Sequence, residues 1–194
     1  MKARVIDYWQ TKLRLKASLL PSLDYFKPEF MSLRFPHKVL TTAGAKSYEV
    51  AKARIQLLFL ANQYPTNSNT RHWSVRNPLG FCTHPPCLEK RIVETREHIL
   101  LECPAYVNTR HNQFLMCLET KNPVAHQIIT RVFFSYSTRM LMQFLLDCSV
   151  MSDVISAVQK SGIVLLKDLF FLTRSWCFAL HRQRMRRLGC WNFR

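Results

Sequence analysis

The chain has 194 residues, 48% of them hydrophobic, only four glycines, and 28 Lys and Arg against 12 Asp and Glu, for a formal net charge of +16. This length fits one domain or two small ones, and the apolar fraction excludes a disordered tail. Few glycines argue against a turn-rich β architecture. The cationic excess points to a polyanion rather than a small metabolite, with nucleic acid ahead of an anionic membrane surface.

Residues 2–20 read as a basic amphipathic helix with Val5, Trp9, Leu13 and Leu20 near one stripe. Pro21, Pro28 and Pro36 then punctuate an extended segment that carries Tyr25, Phe26, Phe30 and Phe35 and is expected to lie over the core. Ser47 is the expected N-cap of a second helix over 48–61, with Ile55, Leu58 and Phe59 as its apolar face. Residues 62–70 form a polar turn cluster.

The region 71–104 is dense in turn signals. Pro78-Leu-Gly80 and Pro85-Pro86 set turns around two cysteines, and Thr95 or Glu94 caps a short helix carrying His98. The remaining chain predicts helices over 106–118, 124–146, 154–159 and 165–188. Pro123 suits a helix start, and Gly162 and Gly189 suit helix ends. Their apolar residues include Ile128, Val132, Phe133, Leu141, Phe144, Leu145, Leu169, Phe170, Leu172, Trp176 and Leu180. Phe133, Phe134, Met140, Met142, Phe144, Phe170 and Phe171 are read as core rather than a cofactor box. After Asp168 there is no acid, while Arg174, Arg182, Arg184, Arg186, Arg187 and Arg194 follow. A solubility device would spread such charge; a one-sign terminal segment reads as a docking surface.

Seven cysteines, an odd number, do not make a secreted disulfide framework. No apolar leader follows Met1, and no uncharged apolar run approaches the roughly 18 residues of a membrane span. The stretch 163–180 is broken by Lys167, Asp168 and Arg174. The expected compartment is the reducing nucleus or cytoplasm, where clustered Cys and His mean metal.

That cluster is Cys82-x4-Cys87-x10-His98-x4-Cys103. Three thiols and one imidazole suit tetrahedral Zn²⁺ in a closed structural site, whose binding supplies about 10–16 kcal/mol to a loop poor in apolar residues. On an ideal helix, positions five apart point about 140° away from each other, so His98 and Cys103 need a break between them. Pro104 biases Cys103 out of the helical region. His84, inside the first loop, either replaces a ligand or is solvated, and solvation is favoured. Cys117, Cys148, Cys177 and Cys190 read as small core residues or spectators. Glu97 is the one acid placed to serve a catalytic metal, but neither an H-x-E nor an H-E-x-x-H pattern is present.

Candidate nucleic-acid contacts mix cations with aromatics: Arg71, His72, Trp73 and Arg76 before the metal loop, and Lys90, Arg91 and Arg96 within it. Arg182, Arg184, Arg186 and Arg187, with Trp191 beyond, complete the set. Two readings of Trp73 stand, a stacking platform or a small core beneath the loop. The terminal arginines equally suit a polybasic import signal.

Tyr64, Thr70-Arg-His-Trp-Ser74, Gly80-Phe-Cys-x4-Cys87 and Glu97-His-x4-Cys-Pro104 together resemble the region downstream of the polymerase in non-LTR (LINE-type) retrotransposon reverse transcriptases. Tyr25-Phe-Lys-Pro-x-Phe-Met-Ser32, Thr41-Thr-Ala-Gly44 and Leu172-Thr-Arg-x-Trp176 extend the likeness over most of the chain. The resemblance implies a zinc knuckle and nucleic-acid engagement beside a reverse-transcriptase core. It does not imply synthesis, because the chain has no Asp-Asp pair and no Asp-x-Asp.

The expected architecture is mainly α: a helical fragment with a central CCHC zinc knuckle and no large sheet. Its expected segments are 1–70 (helical and linker), 71–105 (knuckle) and 106–194 (helical, with a basic tail). The expected activity is zinc-dependent RNA or DNA binding without catalysis, membrane or small-molecule substrate. The alternative is a helical interaction module that packs on a polymerase.

Overall fold

The computed structural model describes residues 2–20, 23–27 and 35–190. Pro21, Pro28, Phe30, Trp191 and Arg194, singled out above, lie outside them. In chain order the helices are α1 (Lys2–Ser18), α2 (Lys38–Thr41), α3 (Ser47–Leu60), α4 (Asn67–Thr70), α5 (Pro85–Glu89), α6 (Val107–Leu118), α7 (Pro123–Ser135), α8 (Thr138–Asp147), α9 (Ser152–Ser161) and α10 (Ile163–Arg187). The mainly α expectation holds: among the described residues the only strand-like pairing is an isolated antiparallel bridge, Phe81 to Val93.

The sequence explains most of these boundaries. Asn122 caps α7 by accepting the N–H groups of Val124 and Ala125, and Pro123 occupies the first turn, where its missing N–H costs nothing. The single helix expected over 124–146 is two. Tyr136 is extended at φ −99° and ψ 154°, and the Ser137 hydroxyl accepts the Met140 N–H to start α8. Ser47 is not the cap of α3. Lys46 holds that position without a side-chain bond, and Glu49 supplies the acidic first turn that suits the helix dipole. Gly162, at φ 80°, ends α9 and begins α10 in a conformation that L side chains resist.

α10 is the axis of the fold, about 37 Å long at 1.5 Å per residue. It packs against α3, α6, α7, α8 and α9, so it is buried on several sides from Leu165 to Leu180 rather than along one stripe. One cluster of buried apolar residues runs from Tyr25 through Phe59, Leu60 and Tyr64, past Cys82, Cys87 and Cys103, to Phe144, Phe170 and Leu180. All three sequence segments therefore contribute to the same core. Phe133 packs at its edge, whereas Phe134, Met140 and Phe171 are exposed.

The α3 face toward α10 differs from its apolar pattern. Phe59 is fully buried, but so is Gln56, whose amide N–H donates to the Leu145 carbonyl at 2.7 Å and to the Thr173 hydroxyl at 3.0 Å. Lys52 joins them, paired with Glu49 at 2.7 Å and seated over the Tyr48 and Phe171 rings. Arg174 reaches the same acid at 3.5 Å and donates to the Thr42 hydroxyl. Burial of polar groups is offset by such pairing, although Gln56 Oε1 and Arg174 Nε are left without a partner.

α1 contributes one buried side chain among those described, Ala17, while Val5, Trp9 and Leu20 are exposed. The segment Thr138–Ser161 is long and apolar enough to cross a membrane by composition. It folds instead as α8 and α9, separated by a 3₁₀ turn and an extended Met151 at φ −84° and ψ 133°.

Candidate metal centre

The four donors come from two short structures that face each other. In the first, Gly80 turns the chain at φ 70°. The Cys82 N–H then donates to the Ile92 carbonyl at 2.8 Å and the Glu94 N–H to the Gly80 carbonyl at 2.9 Å. These bonds close a loop whose interior is α5, with Pro85 at its start and Cys87 on its buried side. In the second, the Thr95 hydroxyl accepts the His98 N–H, as the expected cap, and a short helical run carries His98.

That run is a π turn, His98–Glu102. The Cys103 N–H donates to the His98 carbonyl at 2.7 Å, an i to i+5 bond. The wider turn takes more residues per revolution than an α-helix, so positions five apart return toward one side. Cys103 itself is extended at φ −58° and ψ 122°, as Pro104 requires. The proline was legible in the sequence, but the widened turn was not.

The ligand atoms of Cys82, Cys87, His98 and Cys103 all lie within 4.8 Å of one another, and all four residues are buried. Cys82 Sγ is 3.7 Å from Cys103 Sγ. Neither ring nitrogen of His98 has a hydrogen-bond partner, although a buried imidazole normally finds one. The Glu102 carboxylate stands 3.5 Å from Nδ1, an ion-pair contact. Three buried thiols around an orphaned imidazole are a donor set that could hold a metal ion.

The electrostatics favour a thiolate at Cys103. Hydrogen bonding from Cys82 and from the Ala105 backbone N–H, with the His98 imidazole close by, pulls its thiol down to about 3 against burial. The proton held between the two sulfurs, and burial, push Cys82 up, opposed by the His84 backbone N–H. Burial and the Cys103 charge raise Cys87. Burial opposes charging of His98, but Cys103 and Glu102 outweigh it and leave the imidazole above its ordinary value.

Two cations stand at the rim: Arg110, which the sequence did not single out, and Arg187, expected only as a nucleic-acid contact. Arg110 donates from Nη2 to the Cys103 carbonyl at 2.8 Å, and Arg187, stacked over the Tyr106 ring at 5.4 Å, partly offsets the upward push on Cys87. No local pattern marks either one as a neighbour of the cysteines, because packing of α6 and α10 brings them in. Glu102 was readable as the i+4 neighbour of His98. His84 lies beside the cluster, with Nδ1 3.8 Å from Cys87 Sγ, outside the group of mutually close donors. Glu97 binds Arg96 at 2.9 Å. Cys117, Cys148 and Cys177 are buried in the core, and Cys190 is exposed.

The basic residues divide into two groups. Arg71, His72, Trp73, Arg76, Lys90, Arg91, Arg186 and Arg187 are exposed. Trp73, at 83% exposure, is not a core beneath the loop. Arg182 is half-buried. Arg96 and Arg184 are buried and committed inside the protein. Arg96 pairs with Asp24 and Glu97, donates to the Phe59 and Leu60 carbonyls and stacks on Tyr25. Arg184 pairs with Glu94 at 2.7 Å over the Tyr64 ring. No family model matches the chain, and no curated protein or solved structure matches it either.

Proposed function

We propose that this chain is a zinc-containing nucleic-acid-binding module whose CCHC knuckle is structural. The convergence of Cys82, Cys87, His98 and Cys103 on one buried point carries the reading. A tetrahedral ion with Zn–S bonds of about 2.3 Å sets sulfurs about 3.8 Å apart. The Cys82–Cys103 separation of 3.7 Å already has that length. Four protein donors leave no open position, which favours a structural role over a catalytic one. Three thiolates around a dication carry one net negative charge, and Arg110 and Arg187 are placed to balance it.

The polyanion reading rests on the net charge of +16 and on where it lies. With Arg96 and Arg184 held internally, the proposed phosphate contacts are Arg71, Arg76, Lys90, Arg91, Arg182, Arg186 and Arg187. Trp73 and His72 offer stacking faces. The motif order supports derivation from the region downstream of a retrotransposon reverse transcriptase, in the nucleus or cytoplasm. The exposed residues of α1 support a second reading, a module that docks on a polymerase core and binds little nucleic acid alone.

Elemental analysis of protein purified without chelator tests the metal, with one zinc per chain expected. Fluorescence anisotropy with labelled single- and double-stranded RNA and DNA at several salt concentrations tests the binding. A log–log salt slope reflecting several phosphates is expected. Absence of association at low salt would leave the docking module.

A further inference from the structure

Away from the metal centre the fold forms a half-open cavity of about 520 Å³, within the range of small-ligand sites, between α1, α2, the end of α8 and the start of α10. Its lining is chemically mixed. Lys38 and Lys167 are exposed, and neither makes an ion pair among the described residues. Phe35, also in the lining, is 72% exposed. The Phe26 ring lies 5.2 Å from the His37 imidazole. Asp147 is 1% exposed, with Oδ2 3.2 Å from His37 Nε2.

One oxygen of the carboxylate is answered. His37 Nδ1 accepts the Val39 N–H, and its Nε2 stands 3.2 Å from Asp147 Oδ2, a contact that makes no hydrogen bond. Asp147 Oδ1 takes the N–H and hydroxyl of Ser149. Asp147 pairs with neither lysine, and among the described residues the lining presents two unpaired ammonium groups next to aromatic faces. Inorganic phosphate would use the lysines and leave the rings idle, and an apolar molecule would do the reverse. A planar base joined to a phosphate uses both.

We propose that this cavity seats one unpaired nucleotide of a bound strand, with its base against Phe35 and Phe26 and its phosphate on Lys38 and Lys167. This rests on the nucleic-acid reading above and extends it: a base inside a duplex cannot enter a cavity, so occupancy selects single-stranded segments.

Two arms test it on the full chain. In the first, AMP and UMP are titrated while backbone amide shifts are followed by NMR. Changes at Phe35, His37, Lys38 and Ser149 are expected, and silence there overturns the proposal. In the second, Phe35→Ala combined with Lys38→Ala is compared with wild type. Both residues are exposed, so an unchanged melting curve should accompany the variant. Its affinity for a labelled single strand should fall about tenfold while duplex affinity holds. Equal affinity for the single strand overturns the cavity and leaves the wider surface standing. AMP binding in a chain that takes up no strand at low salt would overturn the strand origin of the ligand and, with it, the nucleic-acid reading.

Discussion

Glu94 Oε1 lies 2.7 Å from Arg184 Nη2, and this buried pair joins the loop that carries the first two cysteines to the last turn of α10. The same oxygen accepts the Asn67 N–H at 2.9 Å, so three separate segments meet on one carboxylate. Removing one partner leaves a buried, unpaired charge. Glu94→Ala and Arg184→Ala should each cost about 3–5 kcal/mol. Urea denaturation should show the double variant costing clearly less than the sum, whereas simple additivity would mean the two residues act independently.

Cys87→Ser should lower bound zinc from one per chain toward none, while Cys190→Ser, at an exposed thiol, leaves it unchanged. Hydrogen exchange should then quicken over residues 80–103 and remain slow over α8 and the first turns of α10, which are buried without help from the loop. Wild-type zinc content in Cys87→Ser would remove that donor from the site.

Arg71→Ala combined with Arg76→Ala should reduce the salt slope of nucleic-acid binding by about 2, one per phosphate contact, with no change in the melting curve. Arg96→Ala should do the opposite: it strips carbonyls and carboxylates of a buried donor, so it lowers stability and acts on the slope only through the fold. A shared phenotype would contradict the division between exposed and internal arginines.

That division shows where the sequence was readable and where it was not. Cys82, Cys87, His98 and Cys103 were legible because short spacings, turn prolines and donor chemistry are local facts. The helical character of the C-terminal half was legible from periodicity, but its break at Tyr136 was not, since Ser137 competes as a cap only weakly against a continuous apolar pattern. Arg96 and Arg184 looked like surface cations because their acceptors, at Asp24, Phe59 and Glu94, are distant in sequence or only apparent once the loop has folded. Gln56 was invisible for the same reason: its partners lie on α8 and α10.

Two glycines offer a controlled comparison. Gly44 and Gly80 share a left-handed backbone, φ 67° and 70°. A methyl group at Gly44 meets nothing within 4 Å, whereas at Gly80 it would meet Ser68 Cα at 2.8 Å. Gly44→Ala should therefore cost about 1–2 kcal/mol from conformation alone. Gly80→Ala should cost more and weaken metal retention, because the same turn positions Cys82. Equal melting temperatures for the two variants would argue against the close approach.

His181 connects stability to acidity. Its Nδ1 meets the Tyr64 hydroxyl at 3.0 Å, and burial followed by the Arg184 charge holds its pKa below the ordinary histidine value. A depressed pKa means the unfolded chain binds the proton first. Stability is therefore full above the ordinary value and is lost as pH falls through the folded one. The unfolding free energy of wild type should approach that of His181→Gln as pH drops from about 7.5 to about 5. A constant gap across that range would show that the imidazole does not titrate with unfolding.

The π turn between His98 and Cys103 makes the number of residues part of the chemistry. Each residue added to or removed from a helical run rotates everything after it by about 100°. Deleting Leu101 or inserting a neighbour would keep all four donors in the chain yet swing one of them out of reach of the others. A homologue with an unaltered donor composition and a different count at this turn would thus be a metal-free protein.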